Sequence, residues 1–421
     1  MTTIPNLATL RLGGLNFRVR AFSFQFMSQS RSTFDRHREV GGEIMKFGSC
    51  LRLFLRILLL IVSWSGVAWT AELRSTAVQD WDAIVKRAED EGQVSVYATD
   101  SIGNAQMIWA AFQKRYPRIK LAGTSMGRGS DLFPKLFAER RAGKFLTDVF
   151  LGAPSAIYLN LYRAKIIDPI APVLVHPSVA DPSKWWMGKH HYIDAEGQYV
   201  FMYEGALYGP PISFNTKLIN EKEIKSAWDL VQPRWKGKYA ALQLGPAQGS
   251  TAMTYVYHHP QLGPKFIERI YRDLEPTMFR DLRQGVDWLS QGKYPLCFLC
   301  RRIDRAAIQG LPVAELNPYQ VEERPGLGSG SGALVLMNQH PNPNAAKVFI
   351  NWYLSQEGQS AFLQANTDEL RVGSLREDLP PESTPPLARR RKDREYLMIN
   401  RPEWMDFKPI YNHIEEMRKS K

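Results

Sequence analysis

The sequence predicts an α/β fold in two lobes, and three observations carry that prediction. From Gln93 onward, short apolar runs of strand type alternate with amphipathic helical stretches, the pattern of a mainly parallel sheet flanked by helices. After an extended passage with paired prolines at 208–218, a second alternation of the same kind begins. A third apolar segment, near 328–336, offers a way back to the first set. With 421 residues, 44% hydrophobic and 11% aromatic, the chain can bury a core in each lobe and is too apolar to be disordered.

The elements run in order. Residues 94–97 (VSVY) read as a strand, and 106–116 as a helix with Trp109, Phe112 and Tyr116 on one face. Beyond Pro117, 119–122 read as a second strand. Over 130–142 the apolar pairs Leu132/Phe133 and Leu136/Phe137 repeat at four residues. A strand TDVFLG begins at Thr147, then comes a helix over 155–162. Residues 208–218, with their paired prolines, read as extended backbone. The second alternation holds a strand at 239–244, a loop GPAQGSTA at 245–252 leading into a helix, and a helix over 264–274. It continues with a loop FRDLRQG at 279–285, a helix through Trp288, a strand PLCFLC and a helix from Arg302. GALVLM reads as a strand and 338–343 as turn chemistry. Asn344 is expected to cap a helix whose apolar positions are Ala345, Val348, Trp352 and Tyr353. SQEG at 355–358 stops that helix and opens another. The Pro- and Arg-rich part from Asp378 is expected to wrap the first lobe and end in a helix with Ile410, Ile414 and Met417 on one side.

The net charge of +12 invites a nucleic-acid reading, but residues 1–71 hold nine Lys/Arg against three Asp/Glu and so carry half of it. Part of the rest is the run Arg389, Arg390, Arg391 and Lys392. No element interleaves basic residues with aromatics, and no nucleic-acid partner is expected. The excess at the start has a different explanation. Met45 and Lys46 precede Arg52 and Arg56, then come twelve uncharged residues at 57–68 and small residues up to Ala71. Twelve are too few for a bilayer span of about 20 residues and suit a signal peptide over 45–71, cut near 68–71. Residues 1–44 are then an upstream or disordered extension, and the mature protein is periplasmic.

Cysteine use agrees with export. Cys50 falls within the signal, leaving Cys297 and Cys300, for which an oxidising compartment favours a disulfide or an idle thiol pair. A second Cys pair is lacking, and His190/His191 and His258/His259 lack helical ligand spacing. Neither a metal site nor a cofactor is expected. The sequence offers no set of nucleophile, base and orienting acid. The enzyme alternative is a secreted thiol oxidoreductase using the C-x-x-C pair.

In open α/β sheets a ligand sits beyond the carboxyl ends of the strands, where Gly/Ser/Thr-rich loops run into helix N-termini. Three such loops in the first lobe, at 99–104, 124–130 and 152–155, nominate Thr99, Ser101, Arg128, Ser130 and Ser155. In the second lobe, 245–252 nominates Gln248, Ser250 and Thr251. Arg280 and Arg283 of FRDLRQG, and Arg301 and Arg302 after PLCFLC, offer planar forks that clamp a carboxylate or phosphate. Each Ser or Thr here reads equally as a helix cap. Each Arg reads equally as a surface charge paired with Glu275, Asp281 or Asp304.

The order of strand, Pro/Asn turn, Ala-Ala-Lys-x-Phe helix and SQEG at 332–362, with G-x-P-x-x-x-N-T-K running from Gly209 to Lys217, closely resembles bacterial extracellular solute-binding proteins. These are the ligand-capturing subunits of ABC importers, and the resemblance covers roughly residues 90–375. It implies a two-lobed, type II periplasmic-binding-protein fold joined by hinge strands, the first near 212–215 and the return near 328–336, with 72–210 and 330–421 in lobe 1 and 211–329 in lobe 2. It also implies a monomer that closes on a small solute and hands it to a permease in the inner membrane; a sensory binding module is the alternative within the fold. Ferric-ion-binding members carry two adjacent tyrosines just after the strand matching PLCFLC, and here that place reads Cys300, Arg301, Arg302. The resemblance therefore points to an organic or phosphorylated anion. Iron held by other ligands, such as Tyr255 or Tyr257, is the alternative.

Overall fold

The computed structural model describes residues 81–99, 101–126, 129–245 and 250–419, without the side chains of 129 and 130. The expected signal peptide, the 1–44 extension, Arg128, Gln248 and the side chain of Ser130 lie outside the described residues.

The first alternation forms as read. β1 (Gln93–Ala98) and β2 (Lys120–Ser125) flank α1 (Ile102–Arg115), whose Ser101 cap accepts from the Asn104 N–H at 3.3 Å. α2 (Gly129–Arg141) and β3 (Val149–Gly152) come next, then a helical turn at Pro154–Ile157 and the two-residue strands β4 (Ile167–Asp168) and β5 (Phe201–Met202). The chain crosses to the second lobe through β6 (Ala206–Tyr208) and enters it as β7 (Ile212–Asn215). There it builds β8 (Tyr239–Leu242), α3 (Thr251–His258), β9 (Thr277–Phe279), α4 (Leu282–Ser290) and β10 (Leu296–Phe298). α5 (Ile303–Ile308) and β11 (Val313–Glu315) complete it. β12 (Gly326–Gly328) crosses back to β13 (Ala333–Met337), α6 (Pro343–Leu354) and α7 (Gln356–Ala365). The tail adds β14 (Leu397–Met398) and α8 (Lys408–Lys419).

Each lobe has its own sheet. In the first, β1 pairs in parallel with β2 and β3, and the returning β13 inserts antiparallel between β3 and β4, with Val335 opposite Phe150. In the second, β10, β8 and β9 are parallel while β7 runs antiparallel between β10 and β11. The antiparallel members are the strands that arrive from the other lobe, so their direction is set by the crossing. Helices cover both faces of the first sheet: Phe112 and Phe349 pack on one side, Phe133 and Leu161 on the other, all buried.

The crossing itself is a three-stranded ribbon, β14-β12-β6, with Leu327 opposite Leu207 and Met398. The hinge expected at 212–215 therefore lies earlier, at Ala206–Tyr208, and its return lies at Gly326–Gly328. Pro210 and Pro211 have no N–H to give, so the hinge ladder stops at Tyr208 and the chain beyond the two prolines is free to join the second sheet.

Two caps differ from expectation. α6 starts at Asn342 and Pro343, not at Asn344. The N–H groups of Asn344 and Ala345 donate instead to the Glu91 carboxylate, at 3.0 and 2.7 Å, from the end of the preceding helix at 81–91. A full negative charge at a helix N-terminus outcompetes an amide oxygen. Ser355 ends α6 and caps α7 by accepting from Gly358 N–H at 3.3 Å. Gly358 is required there because a Cβ would stand 2.2 Å from the Trp352 carbonyl oxygen.

The tail starts over the first lobe, where Leu379 is buried, touches it again at Met405 and ends on the second. α8 packs Ile410, Ile414 and Met417 into the core of the second lobe, so its apolar stripe was legible but its destination was not.

Candidate functional site

The corner after β10 shapes the candidate site. Cys297 and Cys300 form a disulfide with Cα atoms 5.8 Å apart, and Leu299 between them takes φ 58°. Arg302, at the N-cap of α5, takes φ 63°. Left-handed backbone costs a non-glycine residue of order 1 kcal/mol, and here the cross-link on one side and the helix on the other hold it. Gly285 of α4 makes the corner possible, since a Cβ there would lie 2.5 Å from the Phe279 ring and 3.0 Å from the Cys300 sulfur. The result is that Arg301 and Arg302 stand together on an exposed bend, facing a cleft of about 450 Å³ between the lobes.

The other walls come from both lobes. The hinge contributes Tyr208, whose hydroxyl hydrogen-bonds Thr251 at the N-terminus of α3, and burial pushes the Tyr208 phenol up. Ser250 caps α3, accepting from Met253 N–H at 3.3 Å. The loop after β12 is held by Glu204, which accepts from Gly330 N–H at 2.8 Å and Ser331 N–H at 3.2 Å. The segment after α7 supplies Glu369 and Arg371.

That segment also ties the lobes together. Arg371 donates to the carbonyls of Glu315 and Leu316 at 3.0 and 3.2 Å, and its guanidinium is 3.9 Å from the Glu315 carboxylate. The Leu370 N–H donates to Asp304 at 3.2 Å, and Arg305 pairs with Asp368. Burial raises the carboxyls of Asp304 and Glu315, with Arg371 opposing in both. Glu369 keeps open surface toward the cleft, yet the protein packed around its carboxyl raises it, as do Asp368 and Asp304, with Arg305 and Arg302 opposing.

Of the residues nominated from the sequence, the structure brings Ser250, Thr251, Arg301 and Arg302 to the cleft. Thr99 donates its N–H to Leu151 O at 3.1 Å and packs beside Gly152, and Ser101 is the α1 cap. Ser155 lines a separate cavity of about 390 Å³ with Leu159 and Met405. Arg280 is exposed and donates to Gln243 at 3.0 Å. Arg283 sits in the first turn of α4, exposed, because Asp281 caps the helix before the expected loop ends. The foreseen partners of the arginines are engaged elsewhere: Glu275 with Lys236 at 3.1 Å, Asp281 as that cap and Asp304 with Leu370. Tyr208, Glu315, Glu369 and Arg371 were not singled out. Glu369 and Arg371 lie in a stretch with no motif, and folding alone brings it opposite α5.

No known family profile matches the chain. An uncharacterized protein of Haemophilus influenzae is 24% identical over 331 residues, 72% of this chain and 85% of that one. Among solved structures, ferric iron-binding protein A of Mannheimia haemolytica in an open conformation aligns with a TM-score of 0.58 at 14% identity, over 78% of this chain and 99% of that one. The periplasmic binding protein AfuA of Actinobacillus pleuropneumoniae, with fructose-6-phosphate bound, aligns with a TM-score of 0.52 at 17% identity, over 78% and 98%. With two sheets, a three-strand crossing and a cleft between them, this chain has the two-lobed type II fold of the periplasmic binding proteins.

Proposed function

We propose that the protein is the solute-binding subunit of an ABC importer. It acts in the periplasm, where the lobes close on a small anionic solute and present it to an inner-membrane permease. The observation that supports this most is the pair Arg301 and Arg302 in the interlobe cleft: among the described residues neither meets a carboxylate within ion-pair distance. Closing the cleft over two unpaired guanidinium groups is costly unless an anion enters with them, and their planar forks suit carboxylate or phosphate oxygens. Binding energy goes into closure, without a covalent step.

Fold neighbours differ in cargo. AfuA holds a sugar phosphate, which guanidinium groups suit, whereas two arginines repel a ferric ion. Thiol exchange is disfavoured by burial, as Cys297 is 0% and Cys300 7% exposed.

The test is a thermal-shift screen of the full chain against organic acids, phosphonates, sugar phosphates and ferric iron, followed by X-ray scattering with any hit. A ligand at one hundred times its Kd adds about 2.7 kcal/mol, which is readable as a clear rise in Tm. An anion that raises Tm and shrinks the radius of gyration supports the reading. A response to ferric iron alone, or to nothing, overturns it.

A further inference from the structure

The charges lining the cleft are balanced: Arg301, Arg302 and Arg371 face Asp304, Glu315 and Glu369. Half of them are committed. Arg371 donates to two carbonyls and lies near Glu315, and Asp304 accepts the Leu370 N–H. Three remain. Arg301 and Arg302 have no ion-pair partner among the described residues. The Glu369 carboxylate meets no donor within hydrogen-bond or ion-pair distance among them, and Arg305 and Arg302 act on it only from farther off. The two cations belong to the second lobe, at the start of α5. The anion belongs to the first, in the segment after α7.

A simple anion seated on Arg301 and Arg302 would leave Glu369 beside it, repelled and increasingly desolvated as the lobes close. A ligand carrying an ammonium on the far side of its anionic group would neutralise both ends at once.

Resting on the solute-binding reading above, we propose that the cleft selects a small zwitterion, with its carboxylate, sulfonate or phosphonate on Arg301 and Arg302 and its ammonium on Glu369. The volume, about 450 Å³, suits a solute of metabolite size. Because the two charges of the ligand are read by different lobes, only a molecule that spans them draws the lobes together. Selectivity and closure are then one event. The competing role for Glu369 is a direct ion pair with Arg302 on closure, which would make it indifferent to an amine on the ligand.

Matched pairs separate these roles by calorimetric titration of the full chain: β-alanine against propionate, taurine against ethanesulfonate, 2-aminoethylphosphonate against ethylphosphonate. The expected result is that the aminated member of at least one pair binds about tenfold or more tighter, a difference of about 1.4 kcal/mol. Glu369→Gln should erase that preference while leaving the plain anion bound, and Glu369→Asp should retain it. The ligand-free Tm of each variant, measured alongside, shows whether it folds. If amine and non-amine bind alike, or Glu369→Gln keeps the preference, the zwitterion proposal is overturned and the solute-binding reading stands. If no member of any pair binds, while larger anions fail in the thermal screen too, both fall together.

Discussion

Met405 and Phe407 are separated by one residue and buried in the cores of different lobes, Met405 against the first-lobe cluster around Phe133 and Phe150 and Phe407 in the second-lobe cluster with Ile410. Upstream, Asn400 holds the same segment to the end of the hinge, accepting from Ser329 N–H at 2.6 Å. The tail thus adds a strap to the two hinge crossings, and the strap bridges lobes that must move if a solute is to enter.

Met405→Ala should therefore act in two ways. Emptying a buried methionine site costs about 2–5 kcal/mol, so Tm falls. Freed of one anchor, the lobes should also sample a wider opening, seen as a larger ligand-free radius of gyration by X-ray scattering. A variant that loses stability without any change in scattering would show that the strap does not restrain opening.

Arg301→Ala and Arg283→Ala should differ. Removing a guanidinium that bonds an anion in the cleft costs about 1.5–3 kcal/mol, or roughly ten- to a hundredfold in Kd. Arg283 is exposed on α4 outside the cleft, and its removal should leave the affinity for the same anion unchanged. The cleft already touches α4 at Leu282, so equal losses in calorimetry would mean that Arg283 too reaches the anion.

Replacing Cys297 and Cys300 with serine tests what the cross-link does. It closes a very short loop, so the loss of chain constraint is modest, about 2 kcal/mol. The larger effect should fall on binding, because the disulfide holds the left-handed corner that carries Arg301 and Arg302. Unaltered affinity in the double variant would show that α5 and Gly285 suffice to set the corner.

Stability should fall in acid in part through His191, which is 5% exposed and bonds the Trp186 carbonyl at 2.8 Å. Burial lowers its pKa from the ordinary 6.5 to about 4, so the folded protein holds it neutral where the unfolded chain would protonate it. Its contribution to stability is complete above pH 6.5 and is lost as the pH falls towards 4. His176, His190, His258 and His259 are lowered by burial in the same sense. Chemical denaturation across that range should show stability falling, and His191→Gln should flatten the slope. A slope unchanged by the substitution would place the acid sensitivity elsewhere.

Local patterns carried a large part of the architecture. The alternation from Gln93 located both sheets, and the run at 333–337 was readable as β13 because a strand buried on both faces is apolar at every position. Ser355 and Gly358 announced the break between α6 and α7 through capping chemistry that spans only four residues. The pairing of Cys297 with Cys300 is local for the same reason. These features depend on neighbours in the chain, and the chain is what a sequence displays.

Contacts made across long separations were not legible. Glu91 outcompeted Asn344 at the start of α6 from 253 residues away, and β6 became the hinge by pairing with β12, a strand that lies beyond the whole second lobe. α8 showed its apolar stripe but gave no sign of which core would bury it. The cleft was half visible: Arg301 and Arg302 come directly after a recognisable strand, while Glu369 and Arg371 face them only once the chain has crossed between the lobes twice. Helix periods and caps are written in short-range spacing, whereas the balance of charge in a cleft exists only after folding brings distant segments within a few ångströms of one another.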